Sequence, residues 1–386
     1  MKRKPALKKL AQFIQFMVSC GVVDHGSWKS FAAEHKVEIG QLFDYPQEEE
    51  LPAITSLVKP FFHPTLPLIG LNYTPVAHNV LYMFPQGWTD QLRLCRGIIF
   101  DRTGQLVALS FPKFFNHGEH PETQNLPKLP FEATLKQDGH LGIIFRYQHE
   151  FVLTTRGSFE SRSSVLGNTM LTRYVRENNW KKNFPTNLTL LVEIIHPDTK
   201  VFVDYQGQKR FTIISANSTA TMADYGYRRL MGYASKLGLE VTPIWTGKSE
   251  SDPLVDLRKN ITSLVEMMGD RAVQNTEGYV IRFSNGLRVK VKFQTYIGYM
   301  VADKLSFTYL MNRMVSGNLE RMLLTLPEEI YQTALGMLGQ ILLHLSSAGS
   351  PKDKWRKLYT LLPDDEATSY FKSICRKFTK HMTSPE

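Results

Sequence analysis

The chain has 386 residues, of which 42% are hydrophobic and 11% aromatic, and its 46 Lys and Arg against 36 Asp and Glu leave a formal charge of +10. That composition excludes an extended disordered polymer and provides chain for two or three domains with a sizeable core. The basic excess favours polyanionic partners, since each neutralised phosphate releases counterions, although an ordinary basic soluble protein fits the charge equally well.

The first 17 residues are basic and lack acids, and Leu7, Leu10, Phe13, Ile14 and Met17 recur at helical spacing. This predicts an amphipathic helix with a solvated lysine face, with an organelle-targeting helix as the alternative. Helical spacing continues to about residue 55, past an acidic cluster at Glu48 to Glu50. From about 60 to 300 the pattern changes to short β-rich runs between turn residues, as in Leu141 to Phe145, Leu188 to Ile194 and Phe211 to Ile214. Met222 to Leu237 reads as a helix among them, stopped by Gly238, and Asn285-Gly286 reads as a two-residue hairpin turn between Tyr279–Phe283 and Leu287–Lys292.

After about residue 300 the helical period returns. One helix opens at Pro327-Glu328, a second follows Gly349-Ser350-Pro351, and a last one follows Pro363 with Phe371, Ile374 and Phe378. The expected organisation is an α+β chain: a helical N-terminal extension over 1–58, a domain of antiparallel sheets with flanking helices over 59–300, and an all-helical C-terminal domain over 301–386. Cys20, Cys95 and Cys375 are odd in number and far apart, which argues against a zinc site or a disulfide framework and for a reducing compartment. No apolar run reaches the roughly 20 residues needed to span a bilayer.

The most informative segment runs Thr134-Leu135-Lys136-Gln137-Asp138-Gly139-His140-Leu141. A lysine at a strand end, followed by a sharp Asp-Gly turn, presents its amine to a pocket. Taken alone, a solvated surface turn explains this segment better. Lys290 and Lys292 change the balance. They lie two apart on a strand and so share one face, where like charges cost energy unless an anion sits between them. A triphosphate supplies such an anion.

Around that lysine lie Cys95-Arg96-Gly97, Phe111-Pro112-Lys113-Phe114-Phe115-Asn116, Thr155-Arg156-Gly157, Val192-Glu193-Ile194 and Thr276-Glu277-Gly278, ending at Val289-Lys290-Val291-Lys292. In this order the segments resemble the covalent nucleotidyltransferase superfamily of ATP-dependent ligases and mRNA capping enzymes, and within it the bacteriophage-type RNA ligase 1 family. The resemblance covers about Leu71 to Tyr296. It implies an adenylyltransferase domain in which Lys136 attacks the α-phosphorus of ATP, with Asp138 and Gly139 shaping its turn and Leu135 completing the nucleotide-contacting set. It further implies that Arg96, Lys113 and Arg156 touch the nucleotide and that Phe115 supports the purine. Glu193 and Glu277 would serve ribose or a metal, Mg²⁺ with Mn²⁺ as a substitute, and Lys290 and Lys292 would hold the α-phosphate. The implied partner is RNA with 5′-phosphate and 3′-hydroxyl ends, single-stranded or nicked in a loop such as that of a tRNA. The implied setting is repair in the cytoplasm, cellular or viral, with no membrane.

Three features depart from that pattern. The N-terminal extension is longer than the resemblance predicts, Leu71 stands where a tyrosine is expected, and His140 reads as a surface group without a role. A helical rather than β-barrel tail disfavours DNA ligases and capping enzymes. Basic faces at Lys352, Lys354, Arg356 and Lys357, then Arg376, Lys377 and Lys380, with Trp355, Tyr359 and Tyr370 nearby, suit either RNA or solvent. The alternatives are the sealing part of a tRNA-splicing ligase and a catalytically silent RNA-binding protein on the ligase scaffold.

Overall fold

The computed structural model describes residues 3–46, 48, 51–81, 84–247, 275–326, 328–350 and 353–354. The expected helices after Pro351 and Pro363, with Lys352, Trp355, Arg356, Lys357, Tyr359, Tyr370, Phe371, Ile374, Arg376, Lys377, Phe378 and Lys380, lie outside the described residues, as do Glu49, Glu50 and Cys375. The chain divides into two compact units, Met1–Phe293 and Gln294–Glu386. Its class is mixed α+β with mainly antiparallel sheets.

In the first unit, helix α1 (Arg3–Ser19) buries Leu7, Leu10, Phe13, Ile14 and Met17, the stripe that its 3.6-residue period sets out. Helix α2 (His25–Glu34) starts on a reciprocal cap, in which the Asp24 carboxylate accepts from Ser27 N and the Ser27 hydroxyl accepts from Asp24 N. These helices share one core with a four-stranded sheet of β1 (Val58–Phe62), β2 (Leu68–Tyr73), β3 (Arg96–Asp101) and β4 (Leu106–Ala108). Leu71 is fully buried in that core.

A second sheet has the order β11-β10-β9-β7-β8, with β7 at His140–Tyr147, β8 at Glu150–Thr154, β9 at Leu188–Ile195, β10 at Arg210–Ser218 and β11 at Glu240–Val241. Every residue of β9 is buried, because both faces are covered. Leu190, Val192 and Ile194 meet helices α8 (Arg162–Glu177) and α10 (Tyr227–Leu237), while Leu191 joins Phe111 and Phe114 on the other face. Glu193 shares that second face.

The third sheet, order β5-β13-β12-β6, comprises β5 (Phe115–Asn116), β6 (Phe131–Leu135), β12 (Gly278–Phe283) and β13 (Arg288–Lys292). The hairpin between β12 and β13 differs from the expected two-residue turn. Gly286 N donates to Phe283 O and Phe283 N donates to Leu287 O, enclosing three residues. Gly286 takes φ 85° while Asn285 stays at negative φ, whereas a two-residue type I′ turn needs both positive.

Helix α10 also begins later than expected, at Tyr227 rather than Met222. Met222 adopts φ 59° and Gly226 is the N-cap, so residues 222–226 turn instead of coiling. Gly238, at φ 64°, ends the helix as expected.

The second unit holds α11 (Gln294–Lys304), α12 (Phe307–Val315), α13 (Leu319–Thr325) and α14 (Glu328–Ser346). Leu310, Met311, Ile330, Ala334 and Ile341 are buried there. Among the described residues no helix is long and apolar enough to cross a membrane.

Candidate active site

Strand β6 ends at Leu135, which pairs with Tyr279 of β12, and the next residue, Lys136, donates its backbone N–H to Gly278 O at 2.8 Å. That bond holds the lysine beside the start of β12. Gly278 sits at φ 148°, and a Cβ there would lie 2.1 Å from Val291 O, so only glycine allows β12 and β13 to close at this level. Gly139 is similarly confined, since a Cβ would come 2.5 Å from Ile194 O.

Glu277 joins the two ends of the site. One carboxylate oxygen accepts from Lys136 Nζ at 2.7 Å and the other from Lys292 Nζ at 2.9 Å. Burial pushes the Glu277 carboxyl toward protonation, but Lys136 and Lys292 outweigh it and hold its pKa below the ordinary value. Lys136 remains partly exposed at 23%, while Glu277 is at 3%. The amine therefore opens to the outside and its counter-ion does not.

Glu193 behaves oppositely. It is buried, and its Oε1 accepts from Gly139 N at 3.0 Å. Burial raises its pKa to about 7, only partly countered by Lys136 and reinforced by the charge of Glu277. A buried carboxyl in this condition is a receptor for a cation.

The Asp-Gly turn is fastened from behind. Asp138 accepts from Phe202 N at 2.8 Å and Val203 N at 2.6 Å, and its own N–H donates to the Tyr205 hydroxyl at 2.8 Å. Burial pushes the Tyr205 hydroxyl up to about 12. Asp138 thus fastens the turn to residues 202–205. His140 is half-buried rather than a free surface group, and its Nδ1 has no hydrogen-bond partner.

A second group flanks this centre. The Arg96 guanidinium lies over the rings of Phe111 (4.5 Å) and Phe114 (5.7 Å), and Lys290 Nζ lies 5.6 Å from the Phe114 ring. Arg96 Nη1 is buried without a hydrogen-bond partner, and burial lowers the guanidinium pKa. Arg156 stacks on Tyr73 at 4.9 Å and donates to its hydroxyl at 3.1 Å. Tyr73 was not picked out from sequence; its place beside the motif-bearing β3 is the only signal for it.

Lys113 and Phe115 form a third group. Lys113 is 2% exposed, with Nζ 4.7 Å from the Phe115 ring, 5.6 Å from Trp88 and 3.9 Å from Glu119. One face of Phe115 is stacked on His120 at 4.0 Å and 7°. A purine meeting Phe115 directly would need His120 to move; Phe114, beside Arg96 and Lys290, lies nearer the charged centre.

Among the described residues no three His, Cys, Asp or Glu side chains are grouped to hold a metal by protein ligands alone. The pair Glu193 and Glu277 fits a different arrangement, a hard cation taken by one or two carboxylates together with phosphate oxygens. Both carboxyls are buried and lie beside Lys136, the placement that favours it, and burial raises the Glu193 pKa.

The RNA ligase family model matches residues 94–297, over half of the chain and every residue of these groups except Tyr73 and Trp88, and the chain belongs to that family. Among solved structures, the chain is similar to the Naegleria gruberi RNA ligase with PPi, at 18% identity, covering 45% of this chain and 52% of that one, with a TM-score of 0.35. An archaeal ATP-dependent RNA ligase gives 14% identity over 69% of this chain and 64% of that one, with a TM-score of 0.39. A putative ATP-dependent DNA ligase from Aquifex aeolicus gives 15%, 82%, 75% and 0.44 for the same quantities. The chain spans about half the length of the Naegleria protein. No curated protein matches the sequence.

Proposed function

We propose that the protein is an ATP-dependent RNA ligase that works through a lysyl-AMP intermediate on Lys136. The observation that carries this reading is the Lys136–Glu277–Lys292 bridge, which sets a partly exposed amine beside a buried carboxylate and a second cation. ATP and a divalent ion are the expected co-substrate and cofactor, and Naegleria gruberi ligase variants have been solved with ATP and Mn.

In the first step the Lys136 amine, having lost a proton, attacks the α-phosphorus. A phosphorus–nitrogen bond forms, the bond to the bridging oxygen breaks, and pyrophosphate leaves with the electron pair. Lys290 and Lys292, on one face of β13, neutralise the charge that spreads over the phosphoryl oxygens. Arg96 and Arg156 would bind the remaining nucleotide oxygens, with Lys113 as a more distant cation. Glu193 and Glu277 would hold the divalent ion, which supplies charge neutralisation at the phosphates. AMP then passes to an RNA 5′-phosphate, and a 3′-hydroxyl displaces AMP to form the phosphodiester. The phosphoramidate conserves the energy of ATP between these steps, so no base needs to be read. We also propose residues 301–386 as a separate domain acting in choice of RNA.

The test is intact mass after incubation with ATP and Mg²⁺, then peptide mapping. One added AMP on the peptide containing Lys136 is expected. A folded sample without prior adduct that gains none would favour the silent RNA-binding reading.

A further inference from the structure

The strand that carries Lys290 and Lys292 begins with Arg288, two residues before the first lysine and on the same face. Arg288 is opposite Arg282 on β12. Two arginines facing each other across a hairpin repel unless an acid lies between them. Asp224 is that acid. Its carboxylate takes both arms of the Arg288 fork at 2.6 and 2.7 Å, and Arg282 Nε at 3.1 Å. Arg282 Nη2 also donates to the Asp224 carbonyl at 2.9 Å, and Ser215 Oγ accepts from Arg288 at 3.0 Å. Asp224 and Arg288 are 8% and 7% exposed. Burial works against the Asp224 charge, yet the two arginines bring its pKa down to about 2.

The segment holding Asp224 is itself braced. Met222, in the left-handed region at φ 59°, packs against the N-terminal core, and its carbonyl accepts from Arg3 Nη1 of α1 at 3.2 Å. Arg3 loses hydration on burial, which lowers its pKa, and is attracted by Asp224 and repelled by Arg288 and Arg282. A continuous path of contacts therefore runs from the N-terminal helix through the Met222 turn and Asp224 to the foot of β13.

We infer that Asp224 is a positioning residue for adenylylation: its clamp on Arg288 fixes where β13 presents Lys290 and Lys292, and the N-terminal helix supports the clamp through Arg3. The inference rests on the function proposed above and gives the N-terminal extension a role in it. Neither Asp224 nor Arg3 touches Lys136 or Glu277 in the contacts described, so the effect passes through the strand. A phosphate-binding lysine displaced by an ångström loses its value in the transition state more than in the ground state, where ATP keeps its other contacts.

The test uses the full chain with Asp224→Asn, Arg288→Lys, Arg288→Met, Arg3→Met and the double variant Asp224→Asn with Arg288→Met. Single-turnover formation of the AMP adduct is followed against ATP concentration, with the folded fraction checked by near-UV circular dichroism. Asp224→Asn is expected to slow the saturating rate by about 10- to 100-fold with little change in half-saturation. Arg288→Lys, which keeps the charge but loses the fork, should fall between this variant and wild type. Arg3→Met should slow the rate least. The double variant should be no slower than Asp224→Asn alone, since each substitution breaks the same clamp. A normal rate in folded Asp224→Asn, or a loss that merely tracks its unfolded fraction, overturns the inference alone. Absence of any adduct on wild type overturns the ligase reading and the inference together.

Discussion

The two ends of the β12–β13 hairpin carry similar residues in opposite electrostatic states. Near the turn, Arg282 and Arg288 are paired with Asp224 and Glu132, so their partners are all supplied within the protein. At the far end, Lys136 and Lys292 share the buried carboxylate of Glu277, beside Glu193, whose pKa burial raises to about 7. The first cluster is closed and structural. The second pairs a partly exposed lysine with a buried carboxylate and sets a second buried carboxyl beside them, an arrangement that the proposed polyphosphate and divalent ion would complete. Buried charges are tolerated only when paired, so a cluster that keeps one charged group open to the outside, on the same hairpin as a fully enclosed one, marks where a ligand would enter.

The largest expected effect comes from removing the nucleophile. Lys136→Ala should abolish the AMP adduct while leaving the circular dichroism spectrum unchanged, because the side chain is partly exposed and Lys292 still pairs with the buried Glu277. Persistent ATP-dependent labelling of that variant would remove Lys136 from the mechanism. Next is Lys292→Ala, expected to lower the adenylylation rate by roughly 10²- to 10³-fold, as for loss of one preorganised charge in a transition state. RNA affinity, measured by filter binding at fixed salt, should change far less. Equal loss of both would instead make Lys292 part of a general support.

At the closed end the effect should appear in stability as well as rate. Asp224→Asn leaves the buried Arg288 without its anion and Arg282 with Glu132 alone, and should cost about 3–5 kcal/mol in urea unfolding. An unchanged midpoint would show that water or Glu132 replaces the lost charge. Since the Asp224 pKa lies near 2, below its unfolded value, its contribution is present above about pH 4 and fades as pH falls toward 2.

The chain order of the sheets and the identity of the charged centre were legible because both depend on short-range patterns. The β-branched runs gave the strands, Lys290 and Lys292 stood out as like charges on one face of a strand, and Lys136 and Glu277 were legible through the order of the short motifs around them. Asp224 was hidden for a long-range reason: it lies in what reads as the first turn of a helix, and backbone pairing with the end of β10, together with the partners Arg288 and Arg3, draws that segment out of helical form. The rule that drew attention to Lys290 and Lys292 would also have drawn it to Arg282 and Arg288, which face each other across the hairpin and require an acid. Tyr205, which holds the Asp138 turn, gives no such signal, because a hydroxyl donor or acceptor can come from anywhere in the chain.

The smallest of the expected effects separates the two clusters by sign. Glu193 has a folded-state pKa of about 7, above the ordinary carboxylate value it has when unfolded. Between those values the folded protein binds more protons than the unfolded chain, so stability falls as pH rises through the window from about 4.5 to 7. This is opposite to Asp224, whose contribution grows with pH. In the absence of nucleotide and divalent ion, Glu193→Gln keeps an acceptor for Gly139 N but cannot ionise. It should therefore unfold at higher urea than wild type at pH 7.5, by up to about 3 kcal/mol, and match it at pH 4.5. The same substitution should slow adenylylation, because the charge proposed to hold the divalent ion is gone. A gain in stability joined to a loss of activity would identify Glu193 as a group strained until its ligand arrives. Equal stability at both pH values would instead mean that Glu193 is already compensated within the protein, and the open end of the hairpin would then be no less balanced than the closed one.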